Sequence, residues 1–287
     1  MTGNMCMNKQ VTIIVDSTAD LLPRIRSQVE VVPLTVCFGG QEYVDGVTIT
    51  KGEFYEKLVE SDTLPTTSQA TPAAFEEMFA KVCGQGGTAV VLTLSAHLSG
   101  TYQSAVIAAE EYPGVFVVDT ESAAIGAGIL VELALRLVNQ GLTAQQIAQA
   151  LEQEKKNIRV VAMLDTLEYL KRGGRISKTV ARAGSLLNIK PVVALQNGAI
   201  QVLGKARGSR QANNLLVQEI EKAGGVDFTK PVLLGYTGLS DALLQKYRED
   251  SRSLWEESRE ALEQTQIGSV IGTHAGPGAV AVAFFRK

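Results

Sequence analysis

Short β-branched runs alternate along this chain with longer segments whose apolar residues recur at helical spacing, the pattern of an α/β protein with a mainly parallel sheet. Residues 11–15 and 29–36 read as the first two strands, with 89–94 and 115–118 following. Thr50 and Glu53 spell a capping box before Phe54, Tyr55, Leu58 and Val59, which predicts a helix over 51–61. Thr71 and Pro72 spell an N-cap and a first helical residue ahead of the stripe Phe75, Met78, Phe79 and Val82, leaving 65–71 as a loop that enters a helix. Helices over 102–111, 123–139 (ended by Gly141) and 143–156 complete the first half.

Past Asn157 the pattern changes. A strand over 160–164 is followed by the basic, glycine-containing stretch 170–177. Two runs, 189–195 and 199–202, flank Asn197-Gly198, the dipeptide that most strongly marks a β-hairpin. A strand over 232–236, helices through 241–264, a strand over 270–272 and a closing strand over 279–285 follow. The expected fold is therefore α/β in two lobes: an N-terminal lobe, 11–156, with a mainly parallel sheet and flanking helices, and a C-terminal α+β lobe, 157–287. Residues 1–10 read as an N-terminal extension, and a cleft between lobes is the first place to look for a ligand.

Composition narrows the function classes. The 287 residues carry 27 Lys+Arg against 30 Asp+Glu, a formal charge of -3, so no chain-wide attraction to nucleic acid or anionic lipid is expected. Three scattered cysteines, Cys6, Cys37 and Cys83, and two histidines spell neither a disulfide scaffold nor a metal site, which points to a reducing, cytoplasmic compartment. The charge-free stretches 82–109 and 264–285 are broken by glycines, hydroxyls and a histidine, so no integral membrane segment is expected. There is no G-x-S-x-G elbow, H-E-x-x-H or Walker loop, and Gly276-Pro277-Gly278 precedes a strand rather than opening a nucleotide-binding helix.

Three polar clusters lie at strand ends or helix starts: Thr66-Thr67-Ser68-Gln69, Ser95 to Thr101, and Thr273 to Gly278. Ligands of open α/β sheets bind at the carboxyl ends of strands, where helix starts present unpaired N–H groups to an anion. Singly, each hydroxyl cluster reads as caps and turns, and only their coincidence points to a ligand. His97 reads as structural, whereas His274 sits among glycines with too little side chain around it to form a core. The basic runs Lys171, Arg172, Arg175, Lys178, Arg182 and Lys205, Arg207, Arg210 read either as solvated faces or as a docking or anion patch.

Taken together, five blocks resemble the DegV family of bacterial fatty-acid-binding proteins: Asp16 to Leu21, Thr66 to Gln69, Leu98 to Ala105, Tyr169 to Ser177 and Thr273 to Gly278. They run in family order over nearly the whole chain; Ala70 and Gly208 are small departures. The resemblance implies a protein that holds one long-chain fatty acid and needs no cofactor. Thr67, Ser68, Ser99 and Gly100 would bind the carboxylate, with His274 hydrogen-bonded to it. It also implies a separate fatty acid kinase ATP-binding subunit, which phosphorylates the presented carboxylate to acyl phosphate for phospholipid synthesis. Arg207 and His274 would support that transfer, and the chain itself would not be catalytic. A lipid sensor without a kinase, or a hydrolase using Ser99 and His274, are the competing readings.

Overall fold

The structure, a computed structural model, describes residues 10–177, 188–258 and 261–287. Ile13, Ile14 and Val15 leave no polar face on β1 (Val11–Asp16), which accordingly lies at the centre of a sheet covered on both sides. It runs parallel to β2 (Glu30–Val32) and to β6 (Thr88–Thr93), and β7 (Val115–Asp119) completes the parallel order β2-β1-β6-β7. Residues 29–36 are expected as one strand. Pro33, which has no N–H to give a ladder, divides it. Beyond it β3 (Thr35–Phe38) leaves the parallel sheet and pairs antiparallel with β4 (Gln41–Val44) and β5 (Thr66–Ser68). The expected loop 65–71 is thus partly a strand, in which Thr67 pairs with Val36.

The helix starts written in the sequence form as expected. Ahead of α2 (Lys51–Glu60), Thr50 N donates to Glu53 Oε2 at 2.8 Å and Glu53 N to Thr50 Oγ1 at 3.3 Å. Thr71 caps α3 (Pro72–Gly84) through Ala74 N at 3.3 Å. A short α1 (Pro23–Arg26), α4 (Thr101–Ala109), α5 (Ala124–Asn139) and α6 (Ala144–Glu154) complete the helices of this half.

A six-stranded sheet begins at β8 (Ile158–Met163). Its other members are β9 (Ile189–Gln196), β10 (Ala199–Arg207), β11 (Leu233–Tyr236), β12 (Glu263–Gln266) and β13 (Val280–Phe285), in the order β10-β9-β8-β13-β11-β12. Asn197 and Gly198, at φ 51° and 78°, make the β9–β10 turn with both central residues left-handed, the geometry for which Asn-Gly is favoured. Around this sheet lie α7 (Glu168–Arg172), α8 (Gly208–Lys222), α9 (Ala242–Asp250) and α10 (Ser269–Ala275). The chain is therefore a mixed α/β fold with a parallel sheet, helices and a mixed C-terminal sheet.

Two expectations are corrected here. Residues 263–264, read as the end of a helix, instead open β12, because the free edge of β11 offers Glu263 to Gln266 a parallel ladder. Residues 270–272, read as a strand, lie inside α10. The helix α8, absent from the expected elements, buries Ala212, Leu216 and Ile220 at four-residue spacing. α5 is apolar almost all round because it is shared: it packs on β1 and β6 on one side and on β8, β11 and β13 on the other. Among the described residues no helix is long and apolar enough to cross a membrane.

Candidate functional site

A cavity of about 450 Å³, lined chiefly by apolar side chains, lies between the six-stranded sheet, α10 and the start of α5. Its volume falls within the roughly 300–1,000 Å³ of small-molecule sites. Alternation along the strands makes the floor. Val160 pairs with Leu195, and Ala162 with both Val193 and Ala281, and all five line the cavity. Two alanines directly opposite each other leave the space that larger side chains would fill. Ala123 and Ala124 close one side, while α10 supplies Val270, Ile271 and His274 as a wall.

One end of this cavity is polar, and long-range contacts assemble it. Pairing of β5 with β3 sets Thr67, whose Oγ1 lies 2.9 Å from Nε2 of His274. The Ser99 hydroxyl is 2.9 Å from Thr101 Oγ1, and Thr101 N donates to Ser99 Oγ at 3.3 Å, so Ser99 fastens the loop ahead of α4 as well as facing the cavity. Gly100 allows the Gln69 side chain to close over the loop: a Cβ there would stand 2.2 Å from Gln69 Oε1. Gln69 Nε2 in turn donates to Ser104 Oγ at 2.9 Å, which ties the Thr66–Gln69 block to α4. Ser68, exposed, also borders the cavity.

His274 is held tightly. Gly173 packs against its ring so closely that a Cβ at 173 would stand 2.1 Å from Nδ1. Burial, aided by the Arg175 charge, pushes its pKa down to about 4, so the ring is neutral at pH 7. Nδ1 is buried and has no hydrogen-bond partner among the described residues. Arg175 lines the cavity too. Its Nε donates to Leu98 O at 3.1 Å and its Nη1 to Gly173 O at 2.6 Å, and burial lowers its pKa. The polar end thus offers hydroxyls, a neutral imidazole and one partly buried guanidinium, a donor set suited to a carboxylate.

Thr67, Ser68, Ser99, Gly100 and His274 therefore all border one cavity. Arg207 does not. It ends β10, is exposed, and has Ala206 beside it buried in a separate core cluster. Arg175 stood in the sequence as one member of a basic run and of the Tyr169–Ser177 block, and nothing local marked it as the member that turns inward. Lys178 and Arg182 of that run lie outside the described residues. His97 is exposed and does not line the cavity; its ring edge rests near Gly198. The Asp16–Leu21 block is structural support. Asp16 accepts from Thr18 N at 2.9 Å and from Leu94 N at 2.6 Å, and burial raises its pKa to about 6.

A family model described as "Uncharacterised protein, DegV family" matches residues 10–287. The chain belongs to the DegV family. It is 34% identical over 284 residues to a DegV domain-containing protein of Caldanaerobacter subterraneus subsp. tengcongensis, covering 97% of this chain and all of that one. Among solved structures it is similar to a fatty-acid-binding DegV family protein from Thermus thermophilus, with TM-score 0.86, 34% identity and coverage of 97% and 100% of the two chains. A stearic-acid-binding protein from Eubacterium ventriosum matches with TM-score 0.85 and 27% identity over 96% of this chain and 98% of the other. The five sequence blocks thus mark a DegV chain, and four of them, around Thr67, Ser99, Arg175 and His274, meet at the polar end of its cavity.

Proposed function

We propose that this DegV chain is a fatty-acid carrier that holds one long acyl chain in the cavity and presents the carboxylate to a separate ATP-binding kinase subunit, which converts it to acyl phosphate. The observation that carries the reading is the Thr67–His274 pair, a neutral imidazole and a hydroxyl 2.9 Å apart at the polar end of an otherwise apolar cavity. The two lobes, 11–156 and 157–287, would hold the ligand between them.

Tail and head divide the work. Each buried CH₂ contributes about 0.8 kcal/mol, so a sixteen-carbon tail supplies on the order of 10 kcal/mol before the costs of binding. The carboxylate needs two or three donors to stay ionised when buried. A bare acceptor nitrogen is cheaper to leave unpaired than an N–H, so the lone Nδ1 favours the tautomer with the proton on Nε2. His274 then donates to Thr67 Oγ1, and the Thr67 hydroxyl proton is free to point at the carboxylate beside the Ser99 hydroxyl. Arg175 supplies positive charge without a carboxylate of its own in the described structure.

The same geometry disfavours a hydrolase. A serine nucleophile needs His274 at its hydroxyl and an acidic partner behind the ring. Here Nε2 meets Thr67, Ser99 meets Thr101, and Nδ1 has no hydrogen-bond partner among the described residues. The test is organic extraction of the purified protein followed by mass spectrometry, then incubation with ATP, Mg²⁺ and the recovered acid. A stoichiometric fatty acid, and acyl phosphate only after a kinase subunit is added, are expected. Lipid-free protein that also fails to bind fluorescent fatty acids, or turnover by the chain alone, would overturn the assignment.

A further inference from the structure

The helix that carries His274 has seven residues, too few to hold its own position, so its place is set by what it docks on. Side chains from the first half of the chain hold four consecutive residues at its start. Lys51 Nζ donates to Gln266 O, and Tyr55 OH donates to Ile267 O at 2.9 Å. Gly268 N donates to Asp20 Oδ1 at 2.8 Å, and the Ser269 hydroxyl donates to Asp45 Oδ1. Lys51 Nζ also bonds Asp20 Oδ1 at 2.7 Å, joining the carboxylate to the helix start. Gly272 lets α10 lie directly on α2: a Cβ there would stand 2.6 Å from Tyr55 OH and 2.7 Å from Phe54 Cε1.

Asp20 is 2% exposed and Asp45 7%, and Asp20 Oδ2 has no partner among the described residues. Burial raises the pKa of both. Stability alone would be served better by an apolar pair of the same volume, because buried carboxylates are costly to desolvate. What they supply is direction: two acceptors placed to meet the Gly268 N–H and the Ser269 hydroxyl at the start of α10.

We infer that Asp20 and Asp45, with Lys51, are positioning residues for His274, fixing the start of α10 and thereby the point where the imidazole meets Thr67. Six residues of helix, a rise of about 9 Å, separate Gly268 from His274. A slide or turn at the start is carried along the rigid helix to the ring, where the 2.9 Å contact with Thr67 has little tolerance. The same movement shifts Val270 and Ile271 in the cavity wall.

The lipid part of this inference rests on the fatty-acid reading above, so the experiment has one readout that does not. Asp45→Ala, Asp45→Asn and Ser269→Ala are prepared as full-length protein. The ¹⁵N signals of the His274 ring are recorded without lipid, and affinities are measured for a long-chain fatty acid and for its methyl ester, which shares the tail and lacks the carboxylate. In Asp45→Ala and Ser269→Ala the Nε2 signal is expected to move toward that of a free neutral imidazole. The acid-to-ester affinity ratio is expected to fall by at least about fivefold, roughly the loss of one weak hydrogen bond. Asp45→Asn, which keeps an acceptor for Ser269, is expected to retain most of both. Unchanged ring signals and an unchanged ratio, accompanied only by a lower melting temperature, would reduce the network to a structural one. If the wild type binds no fatty acid, the carrier reading fails while the ring signals still decide the positioning role. Should Asp45→Ala not fold, Ser269→Ala gives both readouts.

Discussion

Replacing His274 with Gln removes a titration while leaving an amide able to reach Thr67, and its effect on stability can be worked out with sign. In the folded protein the ring titrates near pH 4 rather than at the ordinary 6.5, chiefly because it is buried. Below 6.5 the unfolded chain therefore binds more protons than the folded one, and the stabilising preference for the neutral ring is lost progressively as pH falls toward 4. By about pH 4.5 the loss amounts to roughly 2 kcal/mol. The wild type alone does not reveal this. Asp16 titrates near 6 when folded, above its ordinary range, so it binds a proton more readily folded than unfolded and gains stability over much of the same interval. Asp20 and Asp45, also raised by burial, act in the same direction.

The difference between wild type and His274→Gln cancels those carboxyls. Urea unfolding of both proteins at steps from pH 7 to 4.5 should give a wild-type stability that falls relative to the variant by about 2 kcal/mol, nearly all of it below pH 6.5. Direct titration of the ring by NMR in lipid-free protein should place its midpoint near 4. Parallel stability curves together with a midpoint near 6.5 would mean that the ring is solvated, and the account of a buried neutral imidazole paired with Thr67 would be wrong.

Thr67→Val keeps the shape of the β5 position and removes the hydroxyl. Fatty-acid affinity should fall by about 1–3 kcal/mol, with a much smaller change in the lipid-free melting temperature, and equal losses would mark the hydroxyl as structural. Ala281→Leu places a branched side chain opposite Ala162 on the cavity floor, so competition among acids of graded length should show a shift toward shorter chains; an unchanged preference would mean that the tail runs elsewhere. Arg207→Ala, at an exposed residue away from the cavity, should leave lipid affinity unchanged and depress kinase-coupled phosphorylation, and loss of lipid binding would show that its charge acts on the ligand.

What the sequence determines by itself in this protein is what a few neighbouring residues can enforce. The Thr50–Glu53 and Thr71–Pro72 helix starts, the Asn197-Gly198 turn and the apolar Ile13, Ile14 and Val15 of β1 each carry their physical cause within about four positions. The five blocks could also be read as one family's signature, because residue identity is visible without geometry. Tertiary structure decided the rest. The segment 269–275 has no helical stripe and is rich in small residues, and its start is met by Asp20, 248 positions from Gly268, and by Asp45. Glu263 to Gln266 has no strand pattern and becomes β12 only where β11 offers an edge. Arg175 is one basic residue among several until Leu98 and Gly173 give its guanidinium acceptors inside the cavity. Thr67 and His274, 207 positions apart, make a single polar feature only after two sheets and α10 have closed around the same space. Hydrogen bonds and burial of this kind depend on which surfaces come together, and periodicity along the chain carries no record of that.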